Sequence, residues 1–382
     1  MKSFLALCVA AATAFSALAQ APQPPEIAAK SFILVDLSSN QVLAERDADA
    51  QYDPASLTKL MTAYLVFVAI HDKKLSLDQR IPVSRRAWDE RKGGGSLMFV
   101  DTTMTPTVDE LLKGVIVQSG NDASVVLAEA VGGSVDGFVA MMNKQAQAWG
   151  LKNTQFRNVT GLTEPGHYSS ARDSATMAAK IINDYPEFYK YYSIREYTYN
   201  HIRQFNRNLL LRRDPTVDGM KTGHTDAAGY CLVASAVRDM PNGKRRLLSV
   251  VMNTASSEAR AAESQKLLNW GYQAWDAVQL FAAGQPVTTV PVWKGTSREA
   301  KLGANGAVVV SVPKGEGDKL KTRIERTDPL LAPLTQGQRV GRIDVTTAGG
   351  TAIATVPLVV MEPVALAGIV GRTWDALRLW IK

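Results

Sequence analysis

The sequence predicts an α+β domain over residues 27–277, a small all-β domain over 283–362 and an amphipathic helix over 363–382. Three observations predict it. Apolar runs of strand length stand at both ends of the first region and flank a helical middle, instead of alternating with helices. After about residue 283 the composition turns β-branched, with Gly and Pro breaks. The last segment then returns to helical periodicity.

The elements follow in order. Residues 1–19 read as an export signal: Lys2 is the charged start, Phe4 to Leu18 the apolar stretch, and Ala17-Leu18-Ala19 the cleavage site. That stretch is shorter than the roughly 20 residues a membrane span needs. Residues 20–28 are a Pro- and Ala-rich lead-in. Ser31 to Asp36 and Gln41 to Glu45 are strands joined by the turn Ser38-Ser39-Asn40. Asp53-Pro54 marks a helix start, with Asp as N-cap and Pro in the first turn, leading into Leu60, Tyr64, Leu65 and Val68. Residues 80–170 mix short helices with Gly- and Thr-rich loops, and Asp173 to Asn183 is helical. Val217 to Ala236 and Arg246 to Met252 are strands, with Pro241-Asn242-Gly243 as a hairpin turn. A helix runs from about Ser257 to Trp275. Val287 to Val290, Ala307 to Val312, Arg339 to Thr346 and Thr351 to Val360 are the strands of the second domain. In the tail, Leu366, Ile369, Val370, Trp374, Leu377, Trp380 and Ile381 share one face, opposite Arg372, Asp375, Arg378 and Lys382. Too polar to span a membrane, and rich in Trp, Arg and Lys, it suits an interfacial helix; the competing reading is a helix docked on its own protein.

Composition excludes several function classes. The chain has 382 residues, a net charge of +7 and 46% hydrophobic residues. This is an ordinary globular balance with a mild basic excess. No basic run or basic–aromatic stripe points to nucleic acid, whereas a membrane surface or an acidic polymer fits the excess. Without the signal only Cys231 remains, inside an apolar run, so no intramolecular disulfide is expected. His71, His167, His201 and His224 lack ligand spacing, and neither metal nor cofactor is expected.

The chemistry lies in three short words: Ser56-Leu57-Thr58-Lys59, Ser119-Gly120-Asn121 and Lys221-Thr222-Gly223. Ser-x-x-Lys alone occurs about once by chance in a chain this long, and Ser311-Val312-Pro313-Lys314 also fits it. That second match has Pro313 where a helix would need a backbone donor. Ser56 instead falls in the first turn of its helix, where unpaired N–H groups and the helix dipole favour an oxyanion. Three residues on, Lys59 shares its face and can act as base once neutral. Ser119 supplies a second hydroxyl for proton relay, and the Asn121 amide can pair with a substrate peptide group. Lys221 and Thr222 offer charge and hydroxyl to a carboxylate, and Gly223 lets substrate approach the backbone. The same order of words, with Asp in the place of Gly120, is a known signature of class A β-lactamases and penicillin-binding proteins.

Longer stretches narrow the resemblance. Asp53 to Lys59, Gly95-Ser96-Leu97-Met98, Gln118 to Ala123, Tyr168 to Asp173 and Asp218 to Thr225, with the β domain and the tail, resemble the low-molecular-mass penicillin-binding proteins that act as D-alanyl-D-alanine carboxypeptidases. The resemblance covers nearly the whole chain. It implies a β-lactamase/DD-peptidase-like transpeptidase domain, an antiparallel sheet flanked by helices with a helical subdomain. It implies removal of the terminal D-alanine from peptidoglycan stem pentapeptides through an acyl-enzyme on Ser56, and acylation of Ser56 by β-lactam antibiotics. Lys59 would be the base, Ser119 the relay, and the N–H groups of Ser56 and His224 the oxyanion hole. Lys221 and Thr222 would hold the carboxylate, and Arg260 and Arg207 match family positions that add positive charge nearby. Localisation would be the periplasmic face of the inner membrane, held peripherally by the tail. One departure is Thr160, where some relatives carry His in a loop that helps set deacylation.

Three rivals share parts of this pattern. A DD-endopeptidase would use the same residues but usually ends after the first domain. A class A β-lactamase would usually have Asp in place of Gly120 and a Glu-x-x-Leu-Asn loop, which is absent here. A non-catalytic penicillin-binding wall protein would carry degraded words, and these are complete.

Overall fold

The computed structural model describes residues 21–240 and 243–381; the expected export signal, the turn residues Pro241 and Asn242, and Lys382 lie outside them. Strands β1 (Ser31–Asp36) and β2 (Gln41–Arg46) open the chain. A separate hairpin of β3 (Glu196–Tyr199) and β4 (Ile202–Phe205) follows the helical region. Then come β5 (Val217–Thr225), β6 (Gly229–Met240) and β7 (Gly243–Thr254). The central sheet has the order β2-β1-β7-β6-β5, antiparallel throughout. Its first and last parts in sequence meet in the middle of the sheet, as the flanking strands predict.

Both sheet faces are covered, and the period-2 alternation shows how. Ile33, Val233, Val250 and Met252 point into a core shared with the helical region. Phe32, Leu34, Leu232 and Val251 point the other way, onto Ala261, Leu267, Leu268 and Tyr272 of the helix Ser257–Ala274. That helix is capped by Ser256 Oγ, which accepts from the Ala259 N–H. The helix Lys59–His71 is buried around almost its whole circumference, from Lys59 through Phe67. It is a central helix and not an amphipathic surface one, because Asn121–Gly132, Val135–Ala148 and Ala171–Asp184 surround it.

The second domain begins earlier than residue 283. Strand β8 (Trp275–Phe281) leaves the helix Ser257–Ala274 directly and pairs with β11 (Val308–Pro313). The others are β9 (Pro286–Trp293), β10 (Glu299–Gly303), β12 (Lys321–Arg326), β13 (Leu330–Leu331), β14 (Arg339–Thr346) and β15 (Ala352–Val360), in the order β12-β14-β15-β10-β9-β13. The second Ser-x-x-Lys match has a purely structural place here. Ser311 Oγ donates to Asp36 Oδ2 at 2.6 Å, and the fully buried Arg245 donates to the same oxygen at 2.8 Å. Ser311 thereby locks the two domains together.

The tail helix spans Ile369–Ile381, shorter than the expected 363–382. The preceding residues belong to the β domain: Val364 is buried in its core and pairs with Leu334.

Candidate active site

The segment before Ser56 folds tightly. Ala55–Thr58 form a 3₁₀ turn that leads into the helix beginning at Lys59. Asp53 is not the cap expected from sequence: Pro54 occupies that position and no side chain caps the turn. Ala55 adopts φ +45°, a region that costs a non-glycine residue free energy. Two glycines make room for this turn. A Cβ on Gly161 would lie 1.8 Å from the Ala55 carbonyl oxygen, and one on Gly223 would lie 3.0 Å from that of Pro54.

Lys59 is 1% exposed, and its amine lies 2.9 Å from Ser56 Oγ, 2.8 Å from Asn121 Oδ1 and 2.6 Å from the Thr160 carbonyl oxygen. The last two groups only accept hydrogen bonds. A neutral amine has two N–H donors and one lone pair. Both donors are taken by Asn121 and Thr160, so the lone pair faces the Ser56 hydroxyl. Burial, the largest influence, lowers the Lys59 pKa to about 7; Arg207 adds to the lowering, while Glu90 and Asp122 oppose it. The base form therefore dominates above pH 7 and is lost below it. Acylation of Ser56 by a labelled penicillin should fall about tenfold per unit as pH drops below 7. An acylation rate constant independent of pH between 5 and 8 would contradict this role.

Ser119 follows a π-helical turn, Gly114–Gln118, a local widening often found at functional sites. Its φ of +67° turns the chain sharply before the helix starting at Asn121. Lys221 Nζ donates to Ser119 Oγ and to the Thr222 carbonyl, both at 2.9 Å. Lys221 sits in the middle of β5 and is 2% exposed. Burial first, and then repulsion from Lys59, Arg207 and Arg260, hold its pKa well below the ordinary value.

These groups border a cavity of about 580 Å³. Ser56, Ser119 and Asn121 line one side, and Thr222, Gly223 and His224 line another, along the free edge of β5. Arg207 and Arg260 also line it, and no carboxylate does among the described residues. Lys221 lies behind Ser119 and does not line the cavity. Arg260 is buried and donates to the Gly223 carbonyl at 2.9 Å, which ties it to the β5 backbone. Arg207 is exposed and has no hydrogen bond or ion pair among the described residues.

Some residues that build the site carried no role in the sequence reading. Asp122 is 2% exposed and accepts from the N–H groups of Met98, Phe99, Val100 and Ala123 at 2.8 to 3.1 Å. This holds the loop that contains Gly95 and Ser96, and Ser96 in turn accepts from the Asn121 N–H at 2.7 Å. Asn158 Oδ1 accepts from the Thr160 and Gly161 N–H groups and so presents the Thr160 carbonyl to Lys59. His167 Nδ1 accepts from the Arg157 N–H, which leaves Nε2–H to donate to Thr58 Oγ1 at 2.8 Å. The position of Asp122 beside Asn121 was the only available signal.

This constellation matches a family. Residues 18–256 match peptidase S11, D-alanyl-D-alanine carboxypeptidase, and residues 275–365 match the C-terminal domain of penicillin-binding protein 5. The chain belongs to the D-alanyl-D-alanine carboxypeptidase family. It is 42% identical to D-alanyl-D-alanine carboxypeptidase DacA of Haemophilus influenzae over 388 residues, covering 100% of this chain and 96% of that one. With DacC of Escherichia coli it shares 43% over 374 residues, 97% and 92% of the two chains. The crystal structure of penicillin binding protein 5 from Haemophilus influenzae superposes with a TM-score of 0.85 at 42% identity, covering 90% of this chain and 99% of that chain. The carboxypeptidase fold thus extends through the β domain, which neither a class A β-lactamase nor a single-domain endopeptidase reading accounts for.

Proposed function

We propose that this serine-type D-alanyl-D-alanine carboxypeptidase works through the residues that converge on Ser56, and that its substrate is the terminal D-alanyl-D-alanine of peptidoglycan stem pentapeptides. The observation that carries the assignment is the Lys59 amine. Its two donors are committed to Asn121 Oδ1 and Thr160 O, so its lone pair faces Ser56. Ser56 Oγ attacks the carbonyl between the two D-alanines as Lys59 takes its proton. The N–H groups of Ser56 and His224 receive the developing oxyanion. Ser119, polarised by Lys221, passes a proton to the departing amine. Thr222, Arg260 and Arg207 hold the terminal carboxylate, and Lys221 adds charge from behind the cavity wall. Water then hydrolyses the ester. A β-lactam enters the same path and acylates Ser56.

Purified protein should release free D-alanine from a soluble pentapeptide, and a labelled penicillin should compete. Penicillin labelling without D-alanine release would favour a non-catalytic binding protein. Cleavage of a cross-linked dimer in preference to the pentapeptide would favour a DD-endopeptidase.

We further propose export and peripheral attachment to the outer face of the cytoplasmic membrane through the tail helix. Asp375 accepts from the Lys294 N–H, and the Arg378 guanidinium lies 5.4 Å from the Trp293 ring centre, so polar residues face the β domain. The opposite face is open, with Ile369 75%, Val370 85%, Trp374 62% and Trp380 85% exposed. An apolar face left uncovered supports the interfacial reading over self-docking. No single helix among the described residues is long and apolar enough to cross a membrane. Ending the chain at Gly368 keeps Val364 in its core while removing the helix. Partition onto anionic vesicles should drop on the order of a hundredfold, with D-alanine release unchanged. Vesicle binding that survives this truncation would remove the tail from the role.

A further inference from the structure

Phe205, Asn206, Arg207 and Leu209 line the cavity along one strip. The strip is fixed by the hydrogen bonds of its two asparagines. The Asn206 N–H donates to the Arg195 carbonyl at 2.8 Å, and its side-chain amide donates to that of Ile194 at 3.0 Å. Asn206 Oδ1 accepts from the Asn208 N–H at 2.9 Å, and Asn208 Oδ1 accepts from the Leu210 N–H at 3.1 Å. Both asparagines are buried. The Phe205 ring is 44% exposed, unusual for a phenylalanine. It is nonetheless held by cation–π contacts with the Arg203 and Arg212 guanidiniums, 5.0 and 5.2 Å from its centre. The strip is thus a fixed apolar–cation–apolar surface facing the reaction cavity.

We propose that Phe205 and Leu209 are specificity-determining residues that restrict the leaving group to a small C-terminal amino acid. This rests on the assignment of Ser56 as the nucleophile of a carboxypeptidase. The cations lining the cavity are Arg207 and Arg260, and the carboxylate next to the scissile bond belongs to the leaving residue. Its carboxylate therefore lies toward Arg207, and its side chain meets the apolar groups on either side of that arginine. A methyl group fits against them. A long side chain, or a leaving amine that belongs to a second stem peptide, meets the Phe205 ring and the Leu209 side chain. The same two residues would therefore set the balance between trimming free ends and cutting cross-links.

The test compares kcat/KM for acyl-D-Ala-D-Leu with that for acyl-D-Ala-D-Ala in the full chain, in Phe205→Ala and in Leu209→Ala, with a cross-linked muropeptide dimer as a third substrate. The D-Leu to D-Ala ratio should rise about tenfold in either variant, and dimer cleavage relative to D-Ala-D-Ala should rise with it. A ratio is independent of the fraction of enzyme that is folded, so a merely structural role would leave it unmoved. Ratios unchanged in both variants, with D-Ala-D-Ala still hydrolysed, overturn the proposal and leave the carboxypeptidase assignment intact. Wild-type protein that releases no D-alanine sinks the assignment itself.

Discussion

Lys59→Arg should reduce acylation of Ser56 by about 10³- to 10⁴-fold, the upper range of what a positioned general base contributes. Three features require this. The Lys59 amine is buried to 1% exposure, and that burial brings its pKa to about 7, within reach of neutrality. Arginine stays charged at any accessible pH, so it has no lone pair for the serine proton. Asn121 Oδ1 and Thr160 O would still accept from a guanidinium, so the polar frame can persist while the base is gone. A structural effect alone would lower the amount of active protein; a chemical effect lowers the rate at constant stoichiometry. Stopped-flow labelling with a fluorescent penicillin separates the two. A near-normal acylation rate would reassign the base to Ser119 with Lys221.

Much of this site was legible in the sequence because its members are short-range words. Ser56 and Lys59 are three residues apart on one turn, so their meeting is a matter of helix geometry. The strand Ser31–Asp36 and the antiparallel pairing of β6 with β7 were likewise readable from local pattern. Other features depend on contacts that no local pattern contains. Sequence pattern makes Lys221 a carboxylate ligand, yet it lies behind Ser119, to whose hydroxyl its amine donates across the β5–helix interface. The place of Asp53 before proline predicts a cap, yet the turn is set by Ala55 fitting against Gly161 and Gly223. Strands β10 and β12 escaped because Glu299–Gly303 is short and Lys321–Arg326 is mostly charged, as edge positions allow. The tail's pattern reaches back past the true helix start at Ile369 because Leu366 fits its apolar face, although the neighbouring Val364 serves the β-domain core.

The backbone around the site shares one physical theme. Ala55, Phe99 and Ser119 all have positive φ, at 45°, 69° and 67°. Each immediately precedes, follows closely or is itself a residue at the cavity wall. Such conformations persist only where surrounding contacts over-determine them. For Ala55 those contacts are the close glycines. For Phe99 they are the hydrogen bonds to Asp122, which makes this buried carboxylate the support on which one wall of the cavity depends.

Asp122→Asn should therefore cost both stability and activity, although it changes one atom and keeps the shape. Oδ1 accepts from Met98 and Ala123, and Oδ2 from Phe99 and Val100. An asparagine must place an NH₂ where one oxygen stood, aimed at two N–H donors that cannot accept. Two hydrogen bonds to a charged acceptor are lost, each worth about 1.5–3 kcal/mol, and two backbone donors are left without partners. The sum, about 3–6 kcal/mol, is a large share of the roughly 5–15 kcal/mol that holds a domain folded. For a catalytic domain of this size, each kcal/mol moves the melting temperature about 2–4 °C, so a fall on the order of 10 °C is expected. The loss should reach the chemistry too. Met98 to Val100 continue the loop from Gly95 and Ser96, and Ser96 O positions Asn121, the acceptor that orients Lys59. Acylation of the surviving folded protein should fall well beyond the loss of folded fraction. Thermal unfolding followed by penicillin labelling at a temperature where both proteins are folded measures the two effects separately. An unchanged melting temperature with normal labelling would mean that the loop holds its φ of +69° at Phe99 without the carboxylate. The support would then have to come from Gln204, whose side-chain amide donates to the Met98 carbonyl at 2.9 Å.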